Sequence, residues 1–183
     1  MAEPVDKLVL RLRYLWHFRI RNRHIRTRGM VNLGRGADVY CRRGLADMEL
    51  GADVWIGAGT HIRCHEGRLR VGDRVVFGGS NTVNCYLDVE IGSDCIFADW
   101  IYVTDFDHRF KSTTIRIQDQ GIVTSPVRIG EDCWIGEKAS ILRGADIGPG
   151  SVIGSQTVVK GDIPPYSVAV GTPARAIKRR GAT

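Results

Sequence analysis

From Leu50 onward a bulky aliphatic or aromatic residue returns at every sixth position, followed by a small residue and then by polar ones. The units read LGADVW (50–55), IGAGTH (56–61), VGDRVV (71–76), FGGSNT (77–82), IGSDCI (91–96) and FADWIY (97–102). A second run gives IGEDCW (129–134), IGEKAS (135–140), ILRGAD (141–146), IGPGSV (147–152), IGSQTV (153–158) and VKGDIP (159–164), with LGRGAD (33–38) as an isolated earlier copy. A helical stripe returns every 3.6 residues or so and cannot generate a period of six. A strand of about six residues followed by a bend, three times over, makes a triangular coil that stacks on its neighbours. The aliphatic position then points inward and meets its counterpart one coil away, at a strand spacing of about 4.8 Å. A β-sandwich with glycine turns would not keep so many units in phase.

Coil starts at Leu50, Val71, Ile91, Ile129 and Ile147 are separated by 21, 20, 38 and 18 residues, so eighteen is the unit and the excesses are insertions. Glycine follows the aliphatic residue at Gly51, Gly57, Gly72, Gly78, Gly92, Gly130, Gly136, Gly148 and Gly154. Each marks a corner that needs either unusual backbone angles or close chain approach. The fifth position holds Val54, Thr60, Cys95, Cys133, Ala139, Ser151 and Thr157, which predicts a second, crowded interior row. The expected architecture is an all-β parallel β-helix over 31–164, between an N-terminal extension (1–30) and a closing segment (165–183).

The largest irregularity lies between Ile91 and Ile129, where an excursion over about 105–126 abandons the hexad register. Long loops in compact domains usually shape a site. His108 stands where this one leaves the coil, with Asp105 and Asp107 beside it. A neutral imidazole there can take a proton from a bound hydroxyl; alternatively it is an ordinary surface histidine. Asn81 and Asn84 are either acceptor-binding side chains or turn caps.

The second half resembles a known family. The run WIGEKASILRGADIGPGSVIGSQTVV (134–159) and the ending VAVGTPARAIK (168–178) are similar to the coenzyme-binding coils and closing motif of hexapeptide-repeat acyltransferases, the maltose, galactoside and surface-polysaccharide O-acetyltransferase group. The resemblance implies a left-handed β-helix and transfer of acetyl from acetyl-CoA to a hydroxyl of a sugar or cell-envelope saccharide. His108 would be the general base, and Asn81, Asn84 and Asp105 would lie on the acceptor. Trp134 would lie beside the coenzyme arm, with Glu137 and Ser155 near the pantetheine. Lys160, Thr172, Arg175 and Lys178 would surround the adenine and phosphate end. The resemblance also implies homotrimers with sites between subunits, and no metal. Without it, Trp134 reads as packing and the last cations as a solvated tail.

Charge sharpens one further region. Lys7, Arg11, Arg13, Arg19, Arg21, Arg23, Arg26 and Arg28 fall in the first thirty residues of a chain whose net charge is +6. Residues 8–29 alternate apolar residues with arginine, which fits either docking on the first coil or peripheral contact of residues 1–28 with anionic lipid. No nucleic-acid recognition motif accompanies the charge. Cys41, Cys64, Cys85, Cys95 and Cys133 are odd in number and lack C-x-x-C spacing, so buried, reduced thiols in a cytoplasmic protein, membrane-peripheral or not, are expected. His61, His65 and His108 raise a zinc alternative of the γ-class carbonic anhydrase kind on the same fold.

Overall fold

The computed structural model describes residues 7–181. Residues 1–6 of the N-terminal extension, with their share of the lipid-contact expectation, and 182–183 of the closing segment lie outside the described residues. The chain winds through three parallel sheets in strict rotation, and these form the faces of a prism. The first and second faces carry seven coil strands each and the third carries six, giving six complete coils and an unfinished seventh. The register follows the coil starts: Leu50 pairs with Val71, Val71 with Ile91, Ile91 with Ile129 and Ile129 with Ile147.

The ladder runs past the expected bounds at both ends. Strand Arg26–Thr27 already pairs with Glu49 and Leu50, and strand Ser167–Gly171 pairs in parallel with Val152–Ile153. Neither edge carries a hexad glycine, so pairing there is invisible to the repeat. Strand Ala174–Arg179 then turns back antiparallel and closes the second face.

Inside the prism the inward rows stack as one apolar column per face. On the second face the column is Leu33, Ile56, Phe77, Phe97, Ile135, Ile153 and Ala169, all buried. Phe77 and Phe97 stack with centroids 4.7 Å apart. The fifth-position residues are buried as predicted. The hexad glycines serve close approach: a Cβ at Gly57 would stand 2.2 Å from the carbonyl oxygen of Gly78. The left-handed backbone falls two residues later, at Asp53, Arg74, Asp94 and Asp132 on one corner.

The outer side of the first face carries a ladder of alternating charge. Arg26, Glu49, Arg70, Glu90, Arg128 and Asp146 follow one another in register. A second row places Asp47, Arg68 and Asp88 together. Burial raises the Asp88 carboxyl, but hydrogen bonds from Arg128 and Arg68 outweigh it and hold the group below its ordinary range.

The N-terminal segment caps the first coils as helix Lys7–Tyr14 continued by a π-helical stretch, Leu15–Arg21. Leu10, Tyr14, His17 and Phe18 are its buried face. His17 Nε2 lies 3.0 Å from the Val39 carbonyl oxygen, which also accepts from Asn22 Nδ2 at 3.3 Å. Among the described residues no helix is long and apolar enough to cross a membrane.

Candidate active site

The excursion is a β-hairpin standing off the edge of the third face. Strand Tyr102–Thr104 belongs to the coil; one residue later Phe106–His108 pairs antiparallel with Ile122–Thr124. The loop between them is tied by Gln120, whose Oε1 accepts from the Ser112 N–H at 3.0 Å. Its Nε2 donates to the carbonyls of Ser112 and Ile115 at 3.0 and 2.8 Å. Arg143, from the coil above, holds the base through an ion pair with Asp107 at 2.5 Å.

These pieces enclose a cavity of about 580 Å³, lined by His108, Phe110, Lys111, Ile115, Gln120 and Arg143 among others. That volume suits a small ligand, and the mixture of apolar walls with a few convergent polar groups is what such sites use. His108 is exposed on its rim, and its ring lies edge-on to Phe106 at 6.1 Å. A larger hollow of about 720 Å³ lies along the first face; of its acidic side chains, Glu49 and Glu90 are engaged by arginines, and Glu131 and Asp146 form no ion pair among the described residues. Phe110, Lys111 and Gln120 lie within the excursion but carry no motif, and Arg143 sits at a variable position of the hexad ILRGAD, whose pattern does not single it out.

Two expected acceptor residues are built into the scaffold instead. Asp105 is wholly buried, and its two carboxylate oxygens accept the N–H groups of Tyr86, Leu87 and Asp88 at 2.7–2.8 Å. The chain departs for the hairpin here, so no coil carbonyl remains to serve that turn; the carboxylate replaces it. Asp105 therefore neither reaches an acceptor nor orients His108. Asn81 is likewise buried. Its amide nitrogen donates to the Gly78 carbonyl and its oxygen accepts from the Ile101 N–H at 2.7 Å, so the turn-cap alternative holds. Asn84 remains on the outer third face beside Thr104, with its side chain on His65.

The residues assigned to the coenzyme gather elsewhere. Glu137 and Ser155 are exposed on successive coils at the corner from the second to the third face, where the Gln156 N–H donates to the Glu137 carbonyl at 2.8 Å. The turn of the closing hairpin, carrying Thr172 next to the Gly171–Ala174 pair and close to Arg175, sits above that corner. Trp134, exposed on the second face, shares an outer column with Val152, Val168 and Lys178. Lys160 departs from the expected grouping: it ends strand Val158–Val159 at the far edge of the third face, because that strand runs away from the hairpin corner.

The three histidines of the zinc alternative do not converge. His61 and His65 flank a single strand two coils below the excursion, and His65 is stacked on Tyr86 at 4.8 Å. Burial and then Arg63 and Arg42 lower its pKa.

The bacterial transferase hexapeptide family (six repeats) matches residues 126–161, within the coils that carry Trp134, Glu137 and Ser155. The chain carries the hexapeptide repeat of that family over the matched residues and repeats the hexad pattern well beyond them. It is 54% identical over 91% of its length to a Mycobacterium tuberculosis protein named probable acetyltransferase, covering 55% of that relative. Over 59% of its length it is 36% identical to an Escherichia coli protein named for lipopolysaccharide biosynthesis O-acetyl transfer, covering 62% of it. The chain thus spans just over half the length of these relatives. A Bacillus cereus N-acyltransferase, solved with dTDP and coenzyme A, shares the β-helix fold at a TM-score of 0.72, with 20% identity and 88% of each chain covered.

Proposed function

We propose that this hexapeptide-repeat protein transfers an acetyl group from acetyl-CoA to a hydroxyl of a saccharide. The observation that carries the reading is the hairpin, which raises an exposed imidazole over a cavity of ligand size while the coil around it remains regular. The likeness to proteins named as acetyltransferases supports the donor chemistry, and coenzyme A in complex with an N-acyltransferase of the same fold is consistent with a coenzyme A donor.

In this reading His108 accepts the proton of the acceptor hydroxyl as its oxygen attacks the thioester carbonyl carbon. The tetrahedral intermediate collapses, the C–S bond breaks, and the thiolate leaves with the proton that the imidazolium returns. Lys111 supplies positive charge on the cavity wall for an anionic or strongly polar acceptor, while Arg143 is engaged by Asp107. Trp134, Glu137, Ser155, Thr172, Arg175 and Lys178 form the donor's track along the second face and its corner. The track and His108 stand at opposite edges of the third face, which favours a homotrimer whose sites combine one subunit's track with its neighbour's hairpin.

Release of free thiol from acetyl-CoA, measured against a saccharide panel, tests the reading. His108→Ala should lower kcat by about 10²–10⁴-fold while coenzyme A still raises the melting temperature. Retention of more than a small residue of activity would remove His108 from the mechanism. A melting temperature unmoved by coenzyme A would remove the transferase reading itself.

A further inference from the structure

We propose that the outward face of the N-terminal cap is a docking surface for an anionic lipid membrane. The cap uses one side for packing and leaves the other apolar. Leu10, Tyr14, His17 and Phe18 seat it on the coil, while Leu12 (56% exposed), Leu15 (43%), Trp16 (54%) and Ile20 (67%) point away. Leu12, Trp16 and Ile20 recur at every fourth position with Leu15 beside Trp16, and all four are exposed while Tyr14, His17 and Phe18 are buried. A soluble surface has no use for four large apolar side chains in a row.

Charge decides what covers the ridge. Between Asp6 and Asp38 the sequence holds nine Lys and Arg and no acid. Arg21, Arg26 and Arg28 are answered by Asp38, Asp47, Glu49 and Asp73 on the coil. Of the remaining arginines of the cap, Arg13 donates to the Leu33 carbonyl and Arg19 to the Tyr14 hydroxyl on the packed side, whereas Arg11 and Arg23 are exposed and form no ion pair among the described residues. An apolar ridge flanked by Arg11 and Arg23, both exposed and in no ion pair among the described residues, matches acyl chains beneath a layer of anionic headgroups. A second copy fits less well, because ridge-to-ridge contact would bring arginine rim against arginine rim. Trp16, with Arg21 over its ring at 5.7 Å, has the amphipathic character that suits the headgroup boundary.

Flotation of the full chain with phosphatidylcholine vesicles, with and without phosphatidylglycerol, tests this. The protein should float with the anionic vesicles alone and be released by salt, and its tryptophan emission should shift to the blue on binding. Arg11→Glu with Arg23→Glu should weaken partitioning by at least about thirtyfold, and Leu12→Ser with Trp16→Ser should abolish it. Both pairs lie on the surface, so unchanged melting curves serve as the folding control. Equal binding to neutral vesicles, or binding to neither kind, would overturn the proposal. So would an oligomer that the Leu12→Ser, Trp16→Ser pair dissociates, which would assign the ridge to a second copy.

Discussion

Between Thr104 and Phe106 the chain passes from the coil wall into the excursion hairpin, and the two regions use polar residues in opposite ways. In the wall, Asp105, Asn81 and Thr60 are buried, and their polar atoms are consumed by backbone groups of adjacent turns. In the hairpin, His108 and Lys111 face a cavity. A carboxylate and an imidazole three residues apart therefore hold separate duties, one closing a gap in the ladder and the other free for chemistry. Nearness in sequence to a candidate base is a poor guide to partnership when the chain changes sheet between the two.

The sharpest way to break this contrast is Asp105→Ala. It strips three buried backbone N–H groups of their acceptor and should cost about 4 kcal/mol in a denaturant titration. His17 offers the next largest effect. Burial first of all lowers its pKa, opposed by the Val39 carbonyl and Asp38 and assisted by Arg21. A depressed histidine favours the fold only while neutral, so its contribution is complete above the unfolded value near 6.5 and lost as pH falls below it. Acidification should accordingly expose amides of residues 10–22 to hydrogen exchange before those of the coils. Arg143→Ala removes a partly exposed pair at the hairpin base and should cost about 0.5 kcal/mol, seen as faster proteolysis within 109–121. His108→Ala should leave the melting temperature almost unmoved, within about 0.5 kcal/mol. A large loss there would mean that the hairpin belongs to the scaffold after all.

The coils were legible because one physical demand, an inward side chain of fixed size at each sixth position, repeats along the chain. The same regularity made the excursion visible and put His108 at its root. Arg143 and Gln120 escaped notice because their partners lie 36 and 8 residues away, across a hairpin whose pairing follows no period. Asp105 and the two readings of Asn81 show a related limit: an acid or amide at a coil exit reads the same whether it faces a ligand or an orphaned turn. The ends of the ladder, Arg26–Thr27 and Ser167–Gly171, lack the aliphatic–glycine hexad that marks a coil, so the repeat does not reveal them.

The inner edge of the third face holds Cys41, Cys64 and Cys85 in register on consecutive coils, directly beneath the point where Asp105 takes the next place. Burial pushes the Cys41 thiol up to about 11, and Cys85 is raised by its hydrogen bond with Cys64 and by burial. Enclosed in the prism, these sulfurs react only when a coil opens. They make a built-in clock for the solenoid: the order in which a small alkylating reagent modifies them will record whether the stack unwinds rung by rung from the N-terminal cap or opens all at once.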